Sequence, residues 1–198
     1  MSLMSRESSQ KSFERNLKNL VIAISGTPGS GKSTCAKILA KKYGLRYISA
    51  GRLFREIARE KGISVEELHK LAEKDYEIDK YVDSRSIEEA KKGNVVIEGH
   101  LTAWILKDIA DVKIFLKASL EERAKRVSQR DKIPIDKALE EISFREKSNK
   151  ERFKKIYNID VNDLSIFDLV IDTTRISPDT VVKIISMYIN SLIKKNSN

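Results

Sequence analysis

The chain predicts an α/β fold: a five-stranded parallel sheet flanked by helices. Three observations carry this. Short apolar, β-branched runs recur at Val21-Ile22-Ala23-Ile24, Tyr47-Ile48, Val95-Val96-Ile97, Val112-Lys113-Ile114-Phe115-Leu116 and Leu169-Val170-Ile171. Helix-period segments separate them, which is the alternation of strands joined by crossover helices. A glycine-rich loop follows the first run and opens the first helix.

Taken in order, residues 1 to 18 are polar and without periodicity, which marks a loosely docked arm, and Met1-Ser2-Leu3 ahead of Met4 reads as an expression scar. Residues 19–198 form one domain, since no linker divides a chain of this length into balanced halves. After the first strand comes Gly26-Thr27-Pro28-Gly29-Ser30-Gly31-Lys32-Ser33, with Thr34 beside it. The spacing is that of a phosphate-binding loop: glycines let the backbone curl with its N–H groups inward, and the next helix adds its positive end. Lys32 then reaches the β- and γ-phosphates, and the Ser33 hydroxyl is placed to hold Mg²⁺. The chain is expected to bind a nucleoside triphosphate through these residues.

The second strand leads into Ser49-Ala50-Gly51-Arg52-Leu53-Phe54-Arg55, where a small kinase needs an acceptor site facing the γ-phosphate. Ser64-x-x-Glu67 and Ser119-x-x-Glu122 read as capping boxes, and Ser177-Pro178-Asp179 places proline at a first helical position. Glu98 ends the third strand, where a carboxylate can orient Mg²⁺ through water or position the acceptor. From about 131 to 162 the chain is almost wholly polar helix, with Ile135, Leu139, Ile142 and Phe153 too sparse for a deeply buried element. Such a segment suits a mobile lid. The stretch from about 49 to 92 is expected to be the acceptor-binding region.

The formal charge of +9 comes from 38 basic and 29 acidic residues interspersed along helices. Without a clustered basic tract and interleaved aromatics, a nucleic-acid partner is not indicated; the excess suits small polyanions in one cleft. Cys35 is the sole cysteine, which excludes a disulfide framework and fits a reducing compartment. No run reaches membrane-spanning length and no secretory segment opens the chain, so a cytoplasmic monomer is expected. The Lys-, Glu- and Ile-rich composition fits a heat-adapted protein. No metal cluster is visible, so Mg²⁺ should arrive with the nucleotide.

Arg123, Arg126 and Arg130 share one helix face by their spacing, and Ile142, Arg145, Asn149 and Arg152 form a stripe on another. Either set can also be read as solvated charge. Trp104 is expected in the core or an interface and His69 at the surface; Tyr76 and Tyr81 read as packing or rim residues.

Taken together, the phosphate loop, Ser49-Ala50-Gly51 with Arg55, Glu77-Ile78-Asp79 with Asp83 and Arg85, Val96-Ile97-Glu98-Gly99-His100-Leu101, Glu122 to Arg126 and Asp168 to Thr173 resemble the nucleoside monophosphate kinases. Within them the chain is most similar to the short, archaeal-type cytidylate kinases, from Leu20 to about Ile193. The resemblance implies a P-loop NTPase fold and transfer of the γ-phosphoryl group of MgATP to CMP and dCMP. It implies that Arg55 holds the monophosphate's phosphate, with Ser49, Gly51, Arg85, Glu98, Gly99 and His100 around the acceptor. Arg126 and Arg130 match arginines that meet the donor, and Arg145 with Arg152 the pair that closes over the transferring group. His100 departs from the pattern, since many relatives carry an arginine there and a neutral imidazole does not replace a permanent guanidinium. An adenylate, uridylate or other small-molecule kinase, and a nucleotide-gated RNA-binding ATPase, are the readings left open.

Overall fold

Strand register decides where the site forms. The computed structural model describes residues 19–195; the arm expected over residues 1–18 lies outside the described residues. Strands β1 (Val21–Gly26), β2 (Arg46–Ser49), β3 (Val95–Glu98), β4 (Val112–Lys117) and β5 (Leu169–Asp172) form one parallel sheet in the order β2-β3-β1-β4-β5. The first strand is central and buried throughout. Its alternation of faces explains the two covering layers. Ile22 and Ile24 pack with Leu39 of α1 (Lys32–Tyr43) and with Val181, Ile185 and Ile189 of α8 (Pro178–Lys195). Val21 and Ala23 face the other way, against Ala90 of α4 (Glu77–Lys91) and Ala103 of α5 (Thr102–Ile105). Trp104 is a packing residue, edge-on to Phe115 and Phe167 with ring centroids 5.9 and 4.7 Å away.

Beyond β2, helices α2 (Ala50–Glu60), α3 (Val65–Ala72) and α4 share a separate apolar cluster of Phe54, Ala58, Leu68, Ala72, Ile78 and Val82. The Ser64–Glu67 capping box forms with both of its hydrogen bonds. At α6 (Leu120–Asp131) only half of the expected box forms. Ser119 Oγ accepts from the Glu122 N–H at 3.3 Å, while the Glu122 carboxylate turns to Arg126 instead.

The polar segment becomes one 23-residue helix, α7 (Ile135–Tyr157). Its first half lays Ala138 and Ile142 on Ala124 and Val127 of α6. Its second half departs from the expectation of shallow burial, because Ser148, Asn149, Arg152 and Phe153 are all buried. The polar contacts of Arg152, which hydrophobic periodicity does not register, hold that half down together with Phe153, which packs with Leu101, Trp104 and Phe115. No helix among the described residues is long and apolar enough to cross a membrane.

Candidate active site

The carboxyl ends of the central strands open into a cleft of about 1440 Å³, the place where open parallel sheets bind ligands. Register sets its floor: Ser49 lies opposite Glu98, and Glu98 beside Ile24, two residues before the loop.

The loop is held by close packing. Gly26 has φ +148°, and a Cβ there would lie 2.0 Å from Leu116 O; Gly29 has φ +78°, and a Cβ there would lie 2.9 Å from Arg123 O. No side chain is tolerated at either place. Thr27 N–H donates to Leu116 O at 3.3 Å, Arg123 Nη1 to Pro28 O at 3.2 Å, and Thr173 Oγ1 to Ser30 O at 3.0 Å. The start of α1 is left chemically bare: its cap, Gly31, is left-handed and offers no side-chain acceptor, and no acid stands in the first turn. Unclaimed N–H groups at a helix start bind an anion. The buried hydroxyls Thr27 Oγ1 and Ser30 Oγ lack hydrogen-bond partners among the described residues, a deficit within the loop that fits a polyanionic ligand.

Lys32 is 7% exposed, and its Nζ donates to Thr27 O at 2.7 Å. Burial pushes its pKa down to about 8, opposed by Glu98 and reinforced by Arg123, Arg130 and Arg145. A bound triphosphate favours the ammonium form and so raises that value again. Nucleotide binding at about pH 8.5 is therefore expected to take up protons, and affinity to fall as pH rises through about 8. Calorimetry in buffers of different ionisation enthalpy reads this; the uptake should vanish in Lys32→Met.

Glu98, 3% exposed, gathers three hydroxyls on Oε1: Ser33 Oγ at 2.9 Å, Tyr47 Oη at 3.1 Å and Ser49 Oγ at 2.5 Å. Its Oε2 makes no hydrogen bond among the described residues. Ser33 and Glu98 thus offer hard oxygens only, the chemistry that suits Mg²⁺ arriving with several of its waters. Among the described residues, no group of three His, Cys, Asp or Glu could hold a metal alone.

The arginines divide. Arg55, Arg126, Arg130 and Arg145 all line the cleft. Arg126 is braced by Thr173, donating to Oγ1 at 2.9 Å and to the carbonyl at 2.7 Å. Arg130 is paired with Asp131, and Arg145 with Glu141 at 2.6 Å. Burial lowers the Arg145 pKa from its ordinary value. Arg123 turns away to clamp Pro28 O and Glu146.

Arg85 and Arg152 are not where the resemblance implies. Arg85 is on the outer face of α4, paired with Glu88 at 3.0 Å, and does not border the cleft. Arg152, 2% exposed, donates from Nε and Nη2 to Asp79 at 2.7 and 3.2 Å. Its Nη1 reaches His69 Nδ1 at 3.0 Å and Ser148 Oγ at 2.8 Å, and its Nη2 reaches Asn149 Oδ1 at 3.0 Å. A guanidinium has five N–H donors. All are used, so none is left for a phosphoryl group. Asp83, nearby, accepts from Tyr157 Oη, and burial pushes its pKa up to about 6.

His100 and Gly99 line the cleft, as do Ser49 and Gly51. His100 Nδ1 meets Asn149 Nδ2 at 2.5 Å. Burial, with Lys32 and Arg145 adding like charge, pushes its pKa well below the ordinary histidine value. His69, expected at the surface, is 7% exposed and also lines the cleft, its pKa pushed down to about 3 by burial and by Arg152. A signal for it existed: it falls four residues after Val65 and next to Leu68, on the apolar stripe of α3. The roles of Tyr47 and Thr173 emerge only in the structure, since a hydroxyl on a strand or just past its end has no spacing signature.

Residues 21–175 match the family described as cytidylate kinase-like. The chain is 51% identical over 178 residues to a protein of Sulfurisphaera tokodaii named cytidylate kinase, spanning 89% of this chain and 99% of that one. A cytidylate kinase of Staphylothermus marinus is 51% identical over 176 residues, spanning 89% and 99%. The fold extends further: shikimate kinase of Acinetobacter baumannii, solved with shikimate, superposes with a TM-score of 0.60 at 16% identity, covering 90% of this chain and 97% of that one. With its glycine-rich anion cradle, central parallel sheet and arginine-lined cleft, the chain belongs to the cytidylate kinase-like family.

Proposed function

We propose that the chain transfers the γ-phosphoryl group of ATP to the 5′-phosphate of CMP, and of dCMP, giving the diphosphate and ADP. One observation carries this: a single cleft, of about 1440 Å³, has the loop and Lys32 on one side and Ser49, Arg55, Glu98 and His100 on the other. That exceeds the roughly 300–1,000 Å³ of an ordinary ligand pocket, and a two-nucleotide reaction needs such room. Relatives sharing half of the sequence over most of both chains are named cytidylate kinases, which supports the acceptor.

The monophosphate oxygen attacks the γ-phosphorus, the bond to the β,γ-bridging oxygen breaks, and ADP leaves with the electron pair. No covalent enzyme intermediate is required, so catalysis is alignment plus charge stabilisation. The bare N–H groups at the start of α1 hold the β-phosphate, and Lys32 bears on the β- and γ-oxygens. Arg126, held still by Thr173, serves the donor side with Arg130. Arg145 stands on α7, the lid in this reading, with its guanidinium over the transferring group. Arg55 holds the acceptor's phosphate in planar two-point contact. Ser33 and the Glu98 carboxylate would hold Mg²⁺, which neutralises charge on the phosphates when bound. The reading places the enzyme in the cytoplasm, acting as single chains.

An assay offering CMP, dCMP, UMP, AMP and GMP separately is expected to give the highest kcat/KM with CMP and dCMP. AMP as the best acceptor by a wide margin would sink the acceptor assignment. RNA-stimulated hydrolysis without transfer to any monophosphate would sink the kinase reading itself.

A further inference from the structure

The chain has two histidines, and both border the acceptor side of the cleft. Their protonation is decided by a neighbour that only donates. Arg152 carries no acceptor, so His69 Nδ1, 3.0 Å from its Nη1, must accept, and the ring proton of His69 sits on Nε2. Asn149 is oriented by the same rule. Its Oδ1 accepts from Arg152 Nη2 at 3.0 Å, which turns its NH₂ toward His100, so His100 Nδ1 accepts as well. Neither Nε2 makes a hydrogen bond among the described residues. The His69 ring is held against Phe54, with centroids 4.7 Å apart, and edge-on to Phe144 at 6.2 Å.

We infer that Arg152, pinned by Asp79, is a positioning residue that fixes both rings as uncharged Nε2–H donors, and that this pair reads the O2 and N3 acceptors of the cytosine base. The inference rests on the cytidylate reading and extends it from the phosphate to the base. Cytosine carries two adjacent acceptors on that edge. Uracil has a hydrogen on N3, adenine lacks the carbonyl, and guanine has a hydrogen on N1, so each leaves at least one donor facing a donor or nothing. A site built to hydrogen-bond one group rejects a ligand that lacks it, because its own polar atom is then stranded.

Two measurements on the tag-free full chain test this. Long-range ¹H–¹⁵N spectra of the two imidazoles are expected to show neutral Nε2–H tautomers that do not titrate between about pH 5.5 and 8. Asn149→Asp should convert His100 alone to a form protonated at Nδ1, since a carboxylate there only accepts. An imidazolium or an Nδ1–H ring in the unmodified protein at about pH 7 overturns the proposal. In steady-state assays, His69→Phe and His100→Phe should each lower the CMP-over-UMP ratio of kcat/KM by about tenfold, the worth of one uncharged hydrogen bond, with the change in the monophosphate KM and none in the KM for ATP. The corresponding Gln variants, which keep an N–H near the Nε2 position, should recover most of that ratio. An unchanged ratio in both Phe variants overturns the base-reading role. Failure of the unmodified enzyme to phosphorylate CMP would overturn the functional reading and the base assignment with it, and the spectra would still decide the tautomers separately.

Discussion

Lys32→Met is expected to lower kcat for phosphoryl transfer by on the order of 10³-fold while the protein stays folded. The ammonium stands at the mouth of an anion nest that offers otherwise only N–H dipoles, and it is the one full charge built into the loop itself. Charge develops on the transferring oxygens in the transition state, and a desolvated cation acts on it through a low effective dielectric. The same desolvation makes the charged form costly in the empty protein, which is why its pKa falls to about 8. Removing it therefore costs the fold little: the lost bond is the one to Thr27 O, worth about 1 kcal/mol. Steady-state kinetics and a thermal melt on one preparation separate the two effects. A variant within tenfold of the parent kcat would remove Lys32 from the transition state.

Arg152→Met is expected to do the reverse, lowering stability by about 3–5 kcal/mol, because Asp79 would be left buried without its partner. For a domain of this size that is a drop in melting temperature of roughly 10 °C. His69, Ser148 and Asn149 lose a donor at the same time, so the loss, counting Asp79, falls on three helices at once. Pairing the change with Asp79→Leu should return part of the stability, since an apolar pair of similar volume escapes the cost of a stranded charge. A lid arginine acting on the phosphoryl group would behave otherwise: kcat would fall by orders of magnitude and the melt would not move. That outcome would return Arg152 to the role the resemblance implies.

These two residues show how far sequence carries. Lys32 is legible because its function is written in contiguous chain: loop, ammonium and helix start lie within eight residues, from Gly26 to Ser33, and local geometry brings them together. Glu98 is half legible. Its place at a strand end is visible, but the three hydroxyls on its Oε1 come from α1 and two positions on β2. Arg152 was misleading, because an arginine on a polar helix looks alike whether it faces water or a carboxylate on another helix. His69 differs: its spacing from Val65 and Leu68 puts it on the apolar stripe of α3, a signal that the expectation of a surface histidine overlooks.

By itself the sequence determined the parallel sheet flanked by helices, its five strands, the helix starts at Ser64, Ser119 and Ser177 and the phosphate cradle, all of which follow from periodicity and from residues close in the chain. The tertiary structure alone decided the Asp79–Arg152 pairing, the orientation of Asn149 and the tautomers of both histidines. Those partners are separated by 73 residues for Arg152 and Asp79, 83 for Arg152 and His69, and 49 for Asn149 and His100. The reason is physical: a buried polar group takes its state from whichever donors and acceptors the fold closes around it, and hydrophobic pattern fixes the fold without naming those partners.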